Sequence, residues 1–331
     1  MNIKNYLKHI VFKLPDTFIH IVYALYNYIY YFKYRETKKH FGTLNPNINF
    51  YVIRPRPNSV QGLMSIFMET IKQINYSIEK GYIPIIDFQN YTTQYNDLNQ
   101  KEKNVWEYYF KQISNYKLDE VYKSKNVYLS GLNSIELCPK EFNQNFDKQS
   151  MEKVRSIVKR YIVCNDNVNY FVNTQLNEMN IDIDKTIGLY LRGTDYTKLK
   201  PAGHQKQPTI KEALNQTDIM LDKTKYSNIF LVTEDIEIYK QVKNHYGSKL
   251  KSITKDKFIS NYSGKDFLIN DKDSINQLSI SPYERGLIYL SKILILSKCS
   301  AIVAGNTSGS WGAFALSNGF KYEYVFNLGK Y

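Results

Sequence analysis

The chain has 331 residues, 43% hydrophobic and 23% charged, which excludes disordered, collagen-like and coiled-coil classes and suits about two domains. Lys plus Arg number 44 against 31 Asp plus Glu, a formal charge of +13. That excess points to an anionic partner: nucleic acid, an acidic membrane surface or a phosphorylated substrate.

The first unusual stretch is Thr17–Phe32, sixteen residues without a formal charge. Over residues 1–40 seven cations face only Asp16 and Glu36, a net of 7 − 2 = +5. The run is shorter than the roughly 20 apolar residues of a spanning helix, is rich in Tyr, and is followed by no small-residue cleavage site. An aromatic helix with basic flanks suits a headgroup boundary. The alternative is a helix packed on the protein's own body or on a second subunit. Residues 1–41 are therefore a basic amphipathic N-terminal arm, with peripheral contact at the inner face of the cytoplasmic membrane as one expectation and homo-oligomer formation left open.

Phe50–Arg54 is a β-branched and aromatic run ended by Pro55 and Pro57, and it predicts a strand. Gly62 opens an apolar-periodic helix to about Lys80, and Tyr82–Phe88 reads as a second strand. Helices are expected over Lys101–Gln112 and Leu118–Ser124, and a strand over Asn126–Leu129. Met151–Asn180 reads as mostly helical, with a break near Asn165–Asn167. From Lys185 strands at Thr186–Leu191, Asn228–Thr233, Lys249–Thr254, Ser300–Ala304 and Tyr322–Phe326 alternate with helices, among them Asp235–Tyr246, Pro282–Lys298 and Gly312–Ser317. This rhythm predicts an α/β fold with a mostly parallel, doubly wound sheet. The organisation expected is the arm, an N-terminal α/β domain over 42–184, and a C-terminal Rossmann-like domain over 185–331.

Ligands of such sheets bind beyond the carboxyl ends of the strands. Three polar clusters fall there. The first runs Arg192-Gly193-Thr194-Asp195-Tyr196 and on through Lys198, Lys200 and His204; the second is Thr233-Glu234-Asp235; the third is Asn306-Thr307-Ser308-Gly309-Ser310 before a helix. Arg192 offers a planar fork for phosphate oxygens. The third cluster offers hydroxyls and N–H groups at a helix N-terminus. The carboxylates of the second could accept from a base or ribose, or could cap the next helix. Together the three suggest a pocket for a nucleoside diphosphate.

The chain has no GxxxxGK[ST], no GxGxxG after a strand, no GxSxG and no HExxH, which argues against P-loop NTPases, dinucleotide oxidoreductases, α/β-hydrolases and zincins. Asp182-Ile183-Asp184 and Asp271-Lys272-Asp273 do not follow strands, so no metal site is expected. Cys138, Cys164 and Cys299 lie far apart without a CxxC pair, which argues against a disulfide framework and fits a reducing, cytoplasmic setting. The basic residues are dispersed and form no known nucleic-acid module, so no nucleic acid partner is expected.

At these clusters the sequence resembles the fucosyltransferase superfamily of GT-B-like architecture, including α-1,2-, α-1,6- and O-fucosyltransferases. Its H-x-R-R-[GT]-D motif aligns with Tyr190-Leu191-Arg192-Gly193-Thr194-Asp195: the first Arg is Arg192, while Tyr190 stands for the His and Gly193 for the second Arg. His204 falls at the spacing of a His in the α-1,6 branch. The family's Asp pair corresponds to Thr233-Glu234-Asp235, and its Ser/Thr-rich loop to Asn306–Ala313. The similarity covers 186–331 well and 50–90 loosely.

The resemblance implies two Rossmann-like domains facing a cleft, and inverting, metal-independent transfer of fucose or a related sugar from a GDP-sugar to a glycan hydroxyl. It needs no cofactor besides the donor substrate. Arg192, with Tyr190, Thr194, the Thr233–Asp235 cluster and the 306–310 loop, would bind the donor. A Glu serves as base in the α-1,6 branch, but Lys200 occupies its place here, which leaves Asp195, His204 and Asp87 as candidates. The acceptor would be a glycan or lipid-linked oligosaccharide of capsule or O-antigen type. A GDP-heptose or UDP-sugar donor on the same fold, and a non-catalytic basic binding protein, are the competing readings.

Overall fold

The computed structural model describes residue 25 and residues 28–57, 61–100, 102–132 and 148–331. Most of the expected arm helix at Thr17–Phe32, and Cys138, lie outside the described residues. Residues 28–33 are helical. The Tyr30 hydroxyl donates to the Pro57 carbonyl at 2.5 Å, while Leu25, Tyr28, Ile29 and Phe32 are each more than half exposed.

The first sheet is built on β2 (Leu44–Ile53), whose last four residues are fully buried. It stops before Pro55 and Pro57, which have no N–H to give a ladder. α1 (Leu63–Glu79) follows and buries Ile66, Phe67, Ile71 and Ile74 on one side, a contribution of roughly 1.5–3 kcal/mol each. Gly81, at φ +70°, turns the chain into β3 (Ile83–Ile86), which pairs parallel to β2. α2 (Leu118–Val121) leads into β4 (Ser124–Leu129), parallel to β2 on its other side. β1 (Thr37–Lys39), a strand unforeseen within the basic arm, pairs antiparallel to β4. The order is β1-β4-β2-β3.

The helix expected over Lys101–Gln112 is replaced by 3-10 turns at Leu98–Gln100 and Val105–Tyr108. The reason is Trp106, Tyr108, Tyr109 and Phe110, all at most 3% exposed. An α-helix would point neighbours about 100° apart and strand some of these rings in water; the tight turn, capped by the Asn104 side chain, inserts all four. α3 (Lys148–Tyr161) and α4 (Asp166–Met179) divide the next helical stretch, with Asn165 capping α4 through Val168 N–H at 3.0 Å.

The second sheet is wholly parallel. Its elements are β5 (Thr186–Tyr190), α5 (Asp195–Lys198), α6 (Ile210–Thr224), β6 (Asn228–Val232), α7 (Ile236–Tyr246), β7 (Leu250–Lys251), α8 (Lys272–Asn276), α9 (Pro282–Lys298), β8 (Ala301–Gly305), α10 (Ser308–Leu316) and β9 (Tyr322–Phe326). Their order, β7-β6-β5-β8-β9, places the topological switch between β5 and β8. β7 is only two residues long because the chain leaves the sheet, buries Ile253, and hands the Thr254 hydroxyl to the Gln175 side chain of α4 at 3.2 Å. α10 begins at Ser308, not Gly312, because Thr307 and Ser310 form a capping box.

Alternation sorts the sheet's side chains. Ile187, Leu189 and Val303 pack with α6 and α7 on one face. Tyr190, Phe230, Ile302 and Ala304 face α9 and α10 in a core that continues into α1, α3 and α4. Gly188 lets α9 lie close, since a Cβ there would collide with Leu296. The fold is thus α/β, with two mostly parallel sheets joined through one shared helical layer.

Candidate functional site

A cleft of about 910 Å³ opens at the carboxyl ends of β5, β6 and β8. Its other wall comes from the first half of the chain: Gln61, Gly62, Met64 and Ser65 at the start of α1, with Tyr95. Six cations line it (Lys72, Arg192, Lys257, Arg285, Lys292 and Lys330) against two carboxylates, Asp195 and Glu234. The wall is therefore built for negative charge.

Arg192 follows β5 after a single residue, Leu191. Its Nη2 donates to Asp195 Oδ1 at 2.6 Å, and its Nε lies 3.6 Å from Glu234 Oε1. Burial works against the guanidinium's charge, but Glu234 and Asp195 outweigh it and hold the pKa well above the usual value. Five N–H donors make up the fork, and these two carboxylates orient it without covering it.

Asp195 is less available than its sequence position suggests. Oδ1 accepts from Arg192 and from Tyr196 N–H at 3.0 Å, and Oδ2 accepts from Leu268 N–H at 3.2 Å. Burial raises its pKa, but Arg192 and these hydrogen bonds prevail and keep the carboxyl below the usual carboxylate range. An ion-paired carboxylate with both oxygens engaged is a weak proton acceptor, so Asp195 is a positioning residue for Arg192 and not the base. Asp87 is a second correction. It is fully buried at the end of β3, away from the cleft, and accepts from Tyr122 Oη at 2.6 Å, Asn90 N–H at 2.9 Å and Gln89 N–H at 3.1 Å. Of the three proposed bases only His204 stands half-buried on the cleft wall free of an ion pair, its ring between Tyr196 and Phe267 with centroids 5.5 Å away on each side.

The second cluster is divided. Glu234 lines the cleft, and its Oε1 accepts from Gly193 N–H at 3.0 Å, Thr194 N–H at 3.2 Å and Thr194 Oγ1 at 2.9 Å. It pins the Arg192 loop. Asp235 instead caps α7 through Glu237 N–H at 2.8 Å, and a Cβ on Gly193 would lie 2.6 Å from Asp235 Cβ. Glycine at 193, where the related motif has Arg, is the geometric result of that contact. Thr233 and Thr194 are buried behind the wall.

In the third cluster Asn306, Thr307, Ser308 and Gly309 reach the cleft, while Ser310 is turned inward to Gly305 O and Thr307 N–H. Asn306 Oδ1 is buried without a protein partner. Gly309 lets the hydroxyls of Tyr190 and Tyr289 approach the first turn of α10, where a Cβ would strike them. Burial pushes both phenols up, so each stays a neutral O–H. The Arg192 fork and the N-terminus of α10 thus face one space across the switch point.

Sequence reasoning placed the helix α9 but missed what it gives to the cleft. Arg285, Tyr289 and Lys292, at spacing i, i+4, i+7, form a polar edge on an otherwise apolar helix and line the cleft. That periodicity was the available signal. Lys292 is nearly buried, held by Asp256 Oδ1 at 2.7 Å and the Thr233 carbonyl at 2.9 Å. Among the described residues no group of three or more His, Cys, Asp or Glu is placed to hold a metal ion.

The class these features define is an α/β protein with a cation-lined cleft at the switch point of a parallel sheet. No family model and no curated protein matches the chain. Solved structures to which it is similar include fucosyltransferases. NodZ α-1,6-fucosyltransferase soaked with GDP-fucose matches at 14% identity and TM-score 0.45, over 82% of this chain and 93% of that one. POFUT1 in complex with GDP-fucose matches at 8% identity and TM-score 0.46, over 86% and 99%. A mutant of Arabidopsis thaliana FUT1 with GDP matches at 10% identity and TM-score 0.43, over 86% and 72%.

Proposed function

We propose that this chain is an inverting, metal-independent glycosyltransferase that moves fucose or a related sugar from a GDP-sugar to a glycan hydroxyl. The observation that carries the reading is the convergence of Arg192 and the Thr307–Gly309 turn on one cation-lined cleft at the β5/β8 switch. The sugar and the guanine base come from the motif resemblance alone. Residues 185–331 bind the donor in this reading, and residues 42–184 present the acceptor.

The acceptor oxygen attacks the anomeric carbon as the bond to the β-phosphate oxygen breaks, and GDP departs with the bonding pair. Arg192 and the N–H groups at the start of α10 stabilise the charge that develops on that phosphate. His204 takes the proton of the acceptor hydroxyl. The product belongs to capsule or O-antigen synthesis, with a glycan or lipid-linked oligosaccharide as acceptor. Exposed Leu25, Tyr28, Ile29 and Phe32, at i, i+3, i+4, i+7 and followed by Lys33, Arg35, Lys38 and Lys39, support peripheral contact with an anionic membrane on the cytoplasmic side.

Isothermal titration with GDP, UDP and dTDP tests the donor. GDP should bind, and Arg192→Ala should weaken it at least tenfold; tight GDP binding that survives the substitution unchanged would contradict the site. Preference for UDP would move the reading to another nucleotide sugar.

A further inference from the structure

Arg192 is the cation that the sequence singles out, but the cleft holds a second arginine of different origin. Arg285 sits in the first turn of α9, and its Nη2 donates to the Gln94 carbonyl at 2.8 Å in the opposite half of the chain. Its guanidinium lies 5.4 Å from the centroid of the Tyr95 ring. Tyr95 Oη accepts from the N–H of Leu63, the first residue of α1. A side chain from the second sheet's helix layer is thereby pinned to the opposite wall.

Two observations coincide at Arg285 and at no other cation of the cleft among the described residues. It forms no ion pair among the described residues, whereas Arg192 has Asp195 and Glu234, and Lys292 has Asp256. Its Nε is buried without a hydrogen-bond partner, as is that of Arg192, but Arg192 has its two carboxylates and Arg285 has none. A half-buried guanidinium with no carboxylate and an unused donor is costly unless an anion completes it.

Its placement fits that need. Arg285, Arg192 and the Tyr95 ring all line the same cleft. Gly193, the neighbour of Arg192, cannot carry a side chain because Asp235 occupies its Cβ direction. A second fork for a ligand held by Arg192 therefore has to come from another element, and α9 delivers one.

We propose that Arg285 is a donor-binding residue that grips the terminal phosphate of a nucleoside diphosphate together with Arg192, from the opposite wall of the cleft. This deepens the proposed function and rests on its diphosphate site, but not on the identity of the base or sugar.

The test compares Kd values for GDP, GMP, UDP and UMP by titration calorimetry, for the wild type, Arg285→Ala and Arg285→Lys. On whichever diphosphate the wild type binds, Arg285→Ala should lose about ten- to a hundredfold in affinity. The matching monophosphate should change less than threefold. Arg285→Lys, which keeps the charge and loses the fork, should fall between the two and guards against a variant that fails to fold. Equal losses for diphosphate and monophosphate would make Arg285 a mere prop of the cleft and overturn the proposal, as would unchanged diphosphate binding. If the wild type binds UDP and not GDP, the donor reading fails while the UDP-to-UMP comparison still decides Arg285. If it binds no diphosphate, both fall.

Discussion

The two sheets share a design and treat their strand ends in opposite ways. In each, one inner strand, β2 in the first sheet and β5 in the second, pairs with parallel neighbours on both sides, which leaves a crevice beyond its carboxyl end. In the first sheet that crevice is filled from within. Arg54, after β2, donates Nε to the Ser130 carbonyl at 2.8 Å, and its own N–H meets Ser130 Oγ at 2.8 Å. Residues 34–36 lie across Gly131 so closely that a Cβ there would strike the Arg35 and Glu36 backbone. Asp87, after β3, spends its oxygens on Tyr122, Asn90 and Gln89. In the second sheet the corresponding groups face about 910 Å³ of open cleft. Polar residues after a strand thus mark a ligand site only where their partners do not come from the chain itself.

This contrast can be broken by substitution on each side. The largest effect is expected from Arg192→Ala, which should lower kcat/KM for sugar transfer about 10²- to 10³-fold, measured by GDP release in the presence of acceptor. A drop below tenfold would remove Arg192 from the chemistry. Asp87→Ala should do the reverse. Stripping the acceptor from buried donors should cost about 3 kcal/mol in urea unfolding, with GDP affinity of the folded protein unchanged. Loss of GDP binding at full stability would make Asp87 a site residue after all.

Gly193→Ala should destabilise by roughly 1–3 kcal/mol, because the added methyl meets Asp235 beside the α7 cap. GDP affinity should fall with it, since the same loop carries Arg192; a neutral result on both counts would show that the loop yields. The smallest effect concerns pH. Hydrogen bonds from Ser263 and Ser274 lower the Asp271 carboxyl from 3.8 to about 2. With the folded value below the unfolded one, its stabilisation is fully present above pH 3.8 and is lost as pH falls toward 2. Asp271→Asn should flatten thermal stability against pH across that interval, and an unchanged acid slope would assign it elsewhere.

Much of the fold was legible because Gly, Pro and caps punctuate it. Pro282–Lys298 and Tyr322–Phe326 lie where periodicity puts them. The failures have physical causes. Four near-contiguous buried aromatics imitate a helix at 101–112, and β1 hides in a basic stretch whose pairing with β4 is a long-range event. At the site, strand-end clusters marked Arg192, Glu234 and Asn306–Gly309, all of which line the cleft. Sequence could not separate Glu234 from Asp235, since facing the cleft or capping α7 is decided by one residue of turn. Arg285 was signalled only by its spacing with Tyr289 and Lys292, and its partners Gln94 and Tyr95 lie some 190 positions earlier.

The helical layer between the sheets has a mechanical consequence. α10 touches α1 so closely that a Cβ on Gly312 would run into Met64, and the apolar cluster passes without interruption from Phe67 to Ile302. Swinging the two halves apart like a book would tear that seam and wet dozens of oily groups at once. Substrates instead come and go through the mouth of the cleft, past the rim that includes Phe267 and Leu268, while the spine stays shut.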